Sequence, residues 1–76
     1  MPMEQLLERI TMEPGKCGGK PCIRGMRIRV VDILDLMAGG MSKEQVIEEL
    51  PDLEPLDVDA AVLFARQRID HTVLIA

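Results

Sequence analysis

The sequence is poor in aromatic residues and in the residue types that usually carry out catalysis. It has no tryptophan or tyrosine, a single phenylalanine (Phe64), a single histidine (His71) and a single serine (Ser42). Because no nucleophile stands beside an evident general base, we expect no enzymatic activity. Two cysteines and one histidine are too few for a structural zinc site, which normally takes four such ligands. We therefore expect no metal, no cofactor and no small-molecule substrate.

Signals for secretion or membrane insertion are also missing. No stretch approaches the roughly 20 apolar residues that a membrane-spanning helix needs. Residues 1–10 include Glu4 and Glu8 and lack an apolar run followed by a cleavage site. Secreted domains of this size usually carry several disulfides, whereas Cys17 and Cys22 are the only cysteines. We expect free thiols, a reducing compartment and a cytoplasmic protein.

The length of 76 residues predicts one domain. A chain this short buries only about 60% of the surface that its unfolded form exposes, so a partner would add useful burial. Charge divides the chain, because residues 1–30 carry a net +3 and residues 31–76 a net −7. We divide the domain into an N-terminal segment with a basic β-arm (1–29), a helical bundle (30–70) and an apolar C-terminal tail (71–76).

The sequence of the N-terminal segment indicates little regular structure. Residues 4–10 favour one or two turns of helix, and the glycines and prolines of residues 15–25 exclude a continuous helix there. Two very short strands, residues 22–23 and 27–28, flank a turn at residues 24–26. The arm is therefore expected to be a small β-hairpin.

The rest of the chain predicts three helices. Apolar residues at helical spacing give the first over residues 30–38, closed by Gly39 and Gly40. Ser42 and Gln45 form a capping-box pattern that starts the second, which runs to about Leu50. Pro55 suits the first turn of the third, which runs to about residue 70. We expect a mainly α, three-helix, helix-turn-helix-like bundle with a short N-terminal β-arm or hairpin.

Two apolar features predict a protein interface. The third helix has an unusually broad apolar face, which one small core is unable to cover, so we expect a homodimer with Leu63 and Phe64 as contacts. The apolar tail ends with Val73, Leu74 and Ile75, which favour a strand paired with the same or another chain. We assign these five residues to partner binding.

The basic arm predicts a site for an anionic partner. Its candidate nucleic-acid-binding residues are Lys16, Lys20, Arg24, Arg27 and Arg29. An alternative remains open, in which the arginines pair with acids of this same chain, notably Asp32 and Asp35.

The third helix argues against simple helix-turn-helix docking, because its first turns carry Glu54, Asp57 and Asp59, which would repel phosphate. The arm, or Arg66 and Arg68, would then have to attract DNA.

Three motifs resemble domain-of-unknown-function family 433 over about residues 9–65. They are Gly-Lys-Pro-Cys-Ile-Arg-Gly-Met-Arg-Ile (residues 19–28), Gly-Met-Ser (40–42) and Pro-Asp-Leu (51–53). Two positions depart from the family pattern, since Met26 replaces the usual threonine and Glu54 the usual threonine or serine. These departures affect the turn and the start of the third helix.

The resemblance implies a homeodomain-like helical fold and a relation to VapB-type antitoxins, which are often encoded beside a PIN-like ribonuclease toxin. It thus implies an antitoxin-like protein that neutralises such a toxin and represses its own operon by binding operator DNA. A purely protein-binding, homodimeric module with no DNA role is the alternative.

Overall fold

The structure is a computed structural model that describes residues 2–73, with side chains through residue 70. The described part is mainly helical with a small antiparallel pair of strands near the N-terminus, as predicted. The elements are α1 (Met3–Leu7), β1 (Ile10–Thr11), β2 (Cys22–Ile23), α2 (Val30–Ala38), α3 (Lys43–Glu49) and α4 (Pro55–Val73), with a 3-10 turn at Cys17–Gly19. None of the described helices is long and apolar enough to cross a membrane. Nor do the described residues place three or more His, Cys, Asp or Glu side chains so that they could hold a metal ion.

The strand pairing differs from the predicted hairpin. Residues 22–23 do form a strand, but their partner is β1, with Ile10 opposite Ile23 and Thr11 opposite Cys22. Residues 27–28 are not a strand, because the turn closes tightly, with the Met26 N–H bonded to the Ile23 carbonyl at 2.8 Å. The returning chain makes only a single bridge, between Cys22 and Arg29. The arm is therefore fastened by the segment after α1.

The predicted end of α2 and the predicted start of α3 are confirmed. α2 covers residues 30–38 and ends where Gly40 adopts a φ of 103°, which lets the Met41 N–H reach the Leu36 carbonyl at 3.2 Å. At the next helix, the Ser42 hydroxyl accepts from the Gln45 N–H, and the Ser42 N–H donates to Gln45 Oε1 at 2.8 Å. This reciprocal pair is the predicted capping box.

α4 begins at Pro55, as predicted, but extends to Val73. The helix thus enters the segment assigned to an apolar tail, because no glycine or proline follows Pro55 to stop it. The strand predicted for residues 72–76 is wrong for residues 72–73, which are helical. Leu74 and Ile75, and the side chain of Val73, lie outside the described residues.

The core lies where α2, α3 and α4 meet β2. Its buried residues are Ile23, Val30, Ile33, Val46, Leu53, Val58 and Ala61. α1 packs against α4 on the outside of this core. α4 is therefore the element on which the N-terminal segment rests.

Candidate functional site

A buried ion-pair cluster lies at the start of α4, centred on Asp57. Asp57 is fully buried, and its Oδ2 accepts the Glu54 backbone N–H at 2.7 Å, which satisfies a free donor of the first turn. Arg24 donates to the same carboxylate through Nε and, at 2.8 Å, through Nη2. Arg9 donates through Nη1 to Oδ1 at 2.9 Å. The cluster joins the N-terminal segment to α4.

The surroundings of this cluster favour the charged forms of Asp57, Arg9 and Arg24. Burial acts to raise the pKa of the Asp57 carboxyl, but hydrogen bonds from Arg24, the Glu54 N–H and Arg9 outweigh it, and the pKa is lowered. The bond to Asp57 raises the pKa of Arg24, and bonds to Glu54 and then Asp57 raise the pKa of Arg9. A carboxylate fixed in its charged form between two guanidinium groups is suited to anchoring and not to proton transfer.

Three of the five cations assigned to nucleic acid are paired within the chain. Arg24 binds Asp57 and also donates to the Asp52 carbonyl at 3.0 Å. Arg29 pairs with Asp32 at 2.7 Å, as the alternative interpretation predicted. Lys16 pairs with Glu13 at 3.0 Å and donates to the Gly25 carbonyl at 2.6 Å.

The other two arm cations, Lys20 and Arg27, are exposed, and their side chains make no hydrogen bond or ion pair with any residue in the range 2–70. They do not form one patch. Lys20 borders a depression beside α4, whereas Arg27 borders a different one with Asp32 and Asp35. The structure thus disperses the cluster that the sequence suggested.

The acids at the start of α4 are likewise paired. Glu54 accepts from Arg9 at 2.7 Å, and Asp59 pairs with Lys43 at 2.8 Å. Together with the pairing of Asp57, this leaves each of the three carboxylates beside a cation. The expected repulsion between this end of the helix and phosphate is therefore weaker than the sequence alone implied. Glu54, one of the two positions that depart from the family pattern, therefore forms an ion pair with Arg9 within the chain.

Two adjoining apolar depressions, here together called the α2–α4 groove, lie between α2 and the part of α4 from Val62 onward. The groove is lined by Val31, Leu34, Val62, Phe64, Ala65 and Ile69. Val31 is 44% exposed, Val62 42% and Ile69 62%, although all three are large and apolar. This is the part of the described surface where large exposed apolar side chains gather on two helices.

Of the two α4 residues predicted for the interface, Phe64 lines this groove and Leu63 is not among the lining residues. Leu63 and Phe64 are half-buried, and Phe64 packs against the core, with the Arg68 guanidinium 4.8 Å from its ring centroid. Sequence reasoning missed the contribution of α2. Val31 was the available signal, since it is an apolar residue outside the core-facing stripe of that helix.

Comparison with known proteins identifies a family that this chain matches. A family model described as a protein of unknown function (DUF433) matches residues 10–65. Protein y4eO of Sinorhizobium fredii (strain NBRC 101917 / NGR234), described as uncharacterized, is 34% identical over 58 residues. That match covers 76% of this chain but only 26% of y4eO, which is a much longer protein.

A solved structure shares the fold. The crystal structure of a DUF433 member from Anabaena variabilis ATCC 29413 superposes with a TM-score of 0.75 at 28% sequence identity. The match covers 93% of this chain and 73% of that one. The family-model match includes Arg24 and Asp57 of the ion-pair cluster, and ends within the groove. The chain belongs to the DUF433 family, as its three motifs predicted.

Proposed function

We propose that this chain is a non-catalytic regulatory module of the antitoxin type, and that it acts by binding other proteins. One partner is a second copy of the chain, bound through the α2–α4 groove. The other is a PIN-like ribonuclease, which the module neutralises. The observation that carries this proposal is the exposed apolar surface of the groove.

The groove has the character of a protein-binding surface. Its most exposed members, Val31, Val62 and Ile69, come from two helices and adjoin the half-buried Leu34 and Phe64. Small domains gain stability by covering such a surface, since each Å² of apolar area removed from water contributes about 25 cal/mol. Most arm cations, by contrast, already have partners within the chain, which favours a protein partner over a nucleic acid.

A second copy fits the groove because the surface of α4 is self-complementary. Val62 and Ile69 lie seven residues apart on one face, with the small Ala65 between them. An antiparallel, two-fold pairing of α4 puts Val62 of each copy opposite Ile69 of the other, and Ala65 lets the backbones approach. Arg66 and Asp70 at the groove border carry opposite charges, so the border does not repel a like surface.

Size-exclusion chromatography with light scattering tests the homodimer. We expect the unmodified chain to elute as a dimer and the Ile69→Glu variant as a monomer, because the new charge would be buried without a partner. Gln67→Glu is the matched control, since Gln67 is an exposed α4 residue outside the groove lining. A monomeric unmodified chain, or a dimeric Ile69→Glu variant, contradicts the proposed interface.

The ribonuclease partner is supported by the resemblance to VapB-type antitoxins. Its test is an RNA-cleavage assay with a purified PIN-like ribonuclease encoded beside this chain. We expect an equimolar amount of the chain to stop cleavage and to co-elute with the enzyme. Undiminished cleavage in the presence of excess chain contradicts the antitoxin role. Repeating the assay with Ile69→Glu shows whether the enzyme and the second copy use the same surface.

Operator DNA binding is a second candidate function, favoured by the unpaired state of two exposed arm cations within the described residues, Lys20 and Arg27. Gel-shift titration against the chain's own promoter tests it. We expect a salt-sensitive shift that the double variant Lys20→Ala/Arg27→Ala loses. Lys43→Ala is the matched control, because it removes a cation that already pairs with Asp59. Absence of a shift with the unmodified chain contradicts this function.

A further inference from the structure

The two borders of the α2–α4 groove differ in charge. The border towards the arm carries Lys20 and Arg68, and no acid of the described residues lines the depression there. The other border carries Arg66 and Asp70, whose opposite charges cancel. Because Arg66 and Arg68 are two residues apart on a helix, they lie on nearly opposite sides of α4. One border is therefore cationic in a chain whose net charge is −4.

The Lys20 side chain at this border is available to a ligand. It is exposed and makes no hydrogen bond or ion pair with any other described residue. At the start of α2, the Asp32 carboxylate pairs with Arg29 at 2.7 Å. Arg68 is also exposed, and its guanidinium lies 4.8 Å from the centroid of the Phe64 ring. Exposed lysine and arginine side chains are the usual partners of phosphate groups.

The proposed pairing of two copies has a symmetry that decides where these borders lie. Its two-fold axis crosses the paired α4 helices midway between Val62 and Ile69, close to Ala65. Rotation about this axis reverses the direction of a helix but keeps each lateral side of the pair on the same side. The two cationic borders therefore lie on one face of the dimer, and the two borders of mixed charge lie on the other.

The cations of the two copies also lie near the axis. Arg68 is about two and a half residues from it, or about 4 Å along the helix, so the two copies of Arg68 are about 8 Å apart in that direction. Lys20 lines the same depression as Arg68 and Ile69. In a single copy, the exposed arm cations Lys20 and Arg27 border different depressions. Dimerisation thus gathers four cations, two from each copy, on one face.

We propose that Lys20 and Arg68 of the two copies form a composite basic face that binds the phosphate backbone of a nucleic-acid duplex. The face gives the DNA-binding candidate its site, and it rests on the proposed homodimer. Cations that lie close together attract the backbone, because each neutralised phosphate releases a condensed counterion. Contacts to phosphate position a duplex without reading its bases. The composite face therefore binds duplexes of any sequence.

Binding and dimerisation are then coupled. A single copy offers only two of the four cations, so a duplex binds the dimer more tightly than the monomer. By thermodynamic linkage, the duplex in turn raises the fraction of the chain that is dimeric. The apolar contact between the α4 helices thus controls the charge of the opposite partner's site, although no residue of that contact is itself charged.

The salt dependence of duplex binding counts the cations. Fluorescence polarisation of a labelled duplex of mixed sequence gives the association constant of the full chain at several salt concentrations. Each neutralised phosphate contributes about 0.9 to the slope of log K against log salt. Because Lys20→Ala removes one cation from each copy, we expect the slope to fall by about 1.8. A fall of about 0.9, an unchanged slope or no binding by the unmodified chain overturns the proposal.

Further variants and a competitor separate this face from general attraction. Lys43→Ala is the matched control, because it removes a cation that already pairs with Asp59, and its slope should stay unchanged. Arg68→Gln should lower the slope as Lys20→Ala does, and Arg68→Lys should restore it. Should the Arg68 variants fail to fold, the exposed Lys20 position still decides. Displacement of the duplex by poly-glutamate as readily as by unlabelled duplex would assign the face to acidic proteins and overturn the nucleic-acid partner.

The coupling to dimerisation has a separate readout. Ile69→Ser weakens the pairing without adding charge, and we expect its affinity for the duplex to fall by about tenfold although all its cations remain. Gln67→Ser is its control, at an exposed α4 position outside the groove lining. Equal binding by a monomeric Ile69→Ser variant and the unmodified chain overturns the composite face. A chain that is dimeric by light scattering but fails the salt test leaves the proposed homodimer intact, so the two failures are distinguishable.

Discussion

The two halves of α4 meet their surroundings in opposite ways. The first half holds the buried carboxylate of Asp57, whose hydrogen bonds come from Arg9, Arg24 and the backbone of the helix start. From Val62 onward, the helix exposes Val62 and Ile69 beside α2. Polar groups are thus satisfied inside the chain, while apolar surface is left uncovered. Charged side chains in this protein therefore mainly hold its own segments together. The exposed apolar surface is what the chain offers to a partner.

Among the variants considered, Asp57→Ala is expected to have the largest effect, because it removes the buried carboxylate at the start of α4. We expect the free energy of unfolding to fall by about 3 kcal/mol, because two guanidinium groups and a backbone N–H lose a buried partner. Urea titration followed by circular dichroism measures it, since the chain has no tryptophan or tyrosine for fluorescence. Asp59→Ala removes a more exposed ion pair with Lys43 and should change the value by less than about 1 kcal/mol. Equal losses in the two variants would refute the anchoring role.

Acid should weaken the same cluster. The pKa of Asp57 is lower in the folded chain than in the unfolded one, so its stabilisation is present above the ordinary carboxyl pKa of about 4. It is lost as pH falls through the lower folded value. Asp32, whose pKa is lowered by Arg29, acts in the same direction.

We therefore expect the melting temperature to fall as the pH drops below about 4. The fall should be shallower in Asp57→Asn than in the unmodified chain. Thermal melts from neutral to acid pH compare the two proteins, and identical curves after correction for their starting stability would contradict this account.

Ser42→Ala supplies a reference that lies outside both halves of α4. Loss of the hydroxyl that caps α3 should lower the free energy of unfolding by about 1 kcal/mol. Ser42→Asp keeps an oxygen acceptor and should remain close to the unmodified chain. The same urea titration measures both variants. If Ser42→Ala lost as much as Asp57→Ala, the cluster would be no more than an ordinary cap.

The smallest expected effect lies in the groove. Ile69→Ser should alter the stability of the isolated chain by less than about 0.5 kcal/mol, because Ile69 is 62% exposed. Its effect on association should appear as concentration dependence, with the unmodified chain melting higher as concentration rises and the variant not. Melts over a range of concentrations measure this. A large loss at every concentration would mean that Ile69 belongs to the core.

The helices could be predicted because their signals are local. Apolar spacing sets α2, the capping box of Ser42 and Gln45 starts α3, and Pro55 starts α4. The end of α4 was misjudged because residues 71–76 were interpreted by their β-branched composition. Residues 71–73 contain no glycine or proline, and α4 continues through them.

The contacts of the arm could not be predicted from neighbouring residues. Ile10 and Ile23 pair across an intervening loop, and Arg24 meets Asp57 from 33 positions away. Sequence reasoning weighed internal pairing for the arginines but sought it in Asp32 and Asp35, which are nearer along the chain. It identified one such pair, Arg29 with Asp32. The groove as a whole could not be predicted either, because it forms only where α2 and α4 pack against each other.

The distance along the chain between Arg24 and Asp57 also sets an order of events during synthesis. Residues 9–29 emerge from the ribosome before Glu54 and Asp57, the acids that neutralise Arg9 and Arg24. Arg9 and Arg24 can bind the Asp57 carboxylate only after α4 has begun to form. The nascent chain becomes a basic peptide once Arg24 has been added, and its net charge turns negative only when the last acid of α3 has been added.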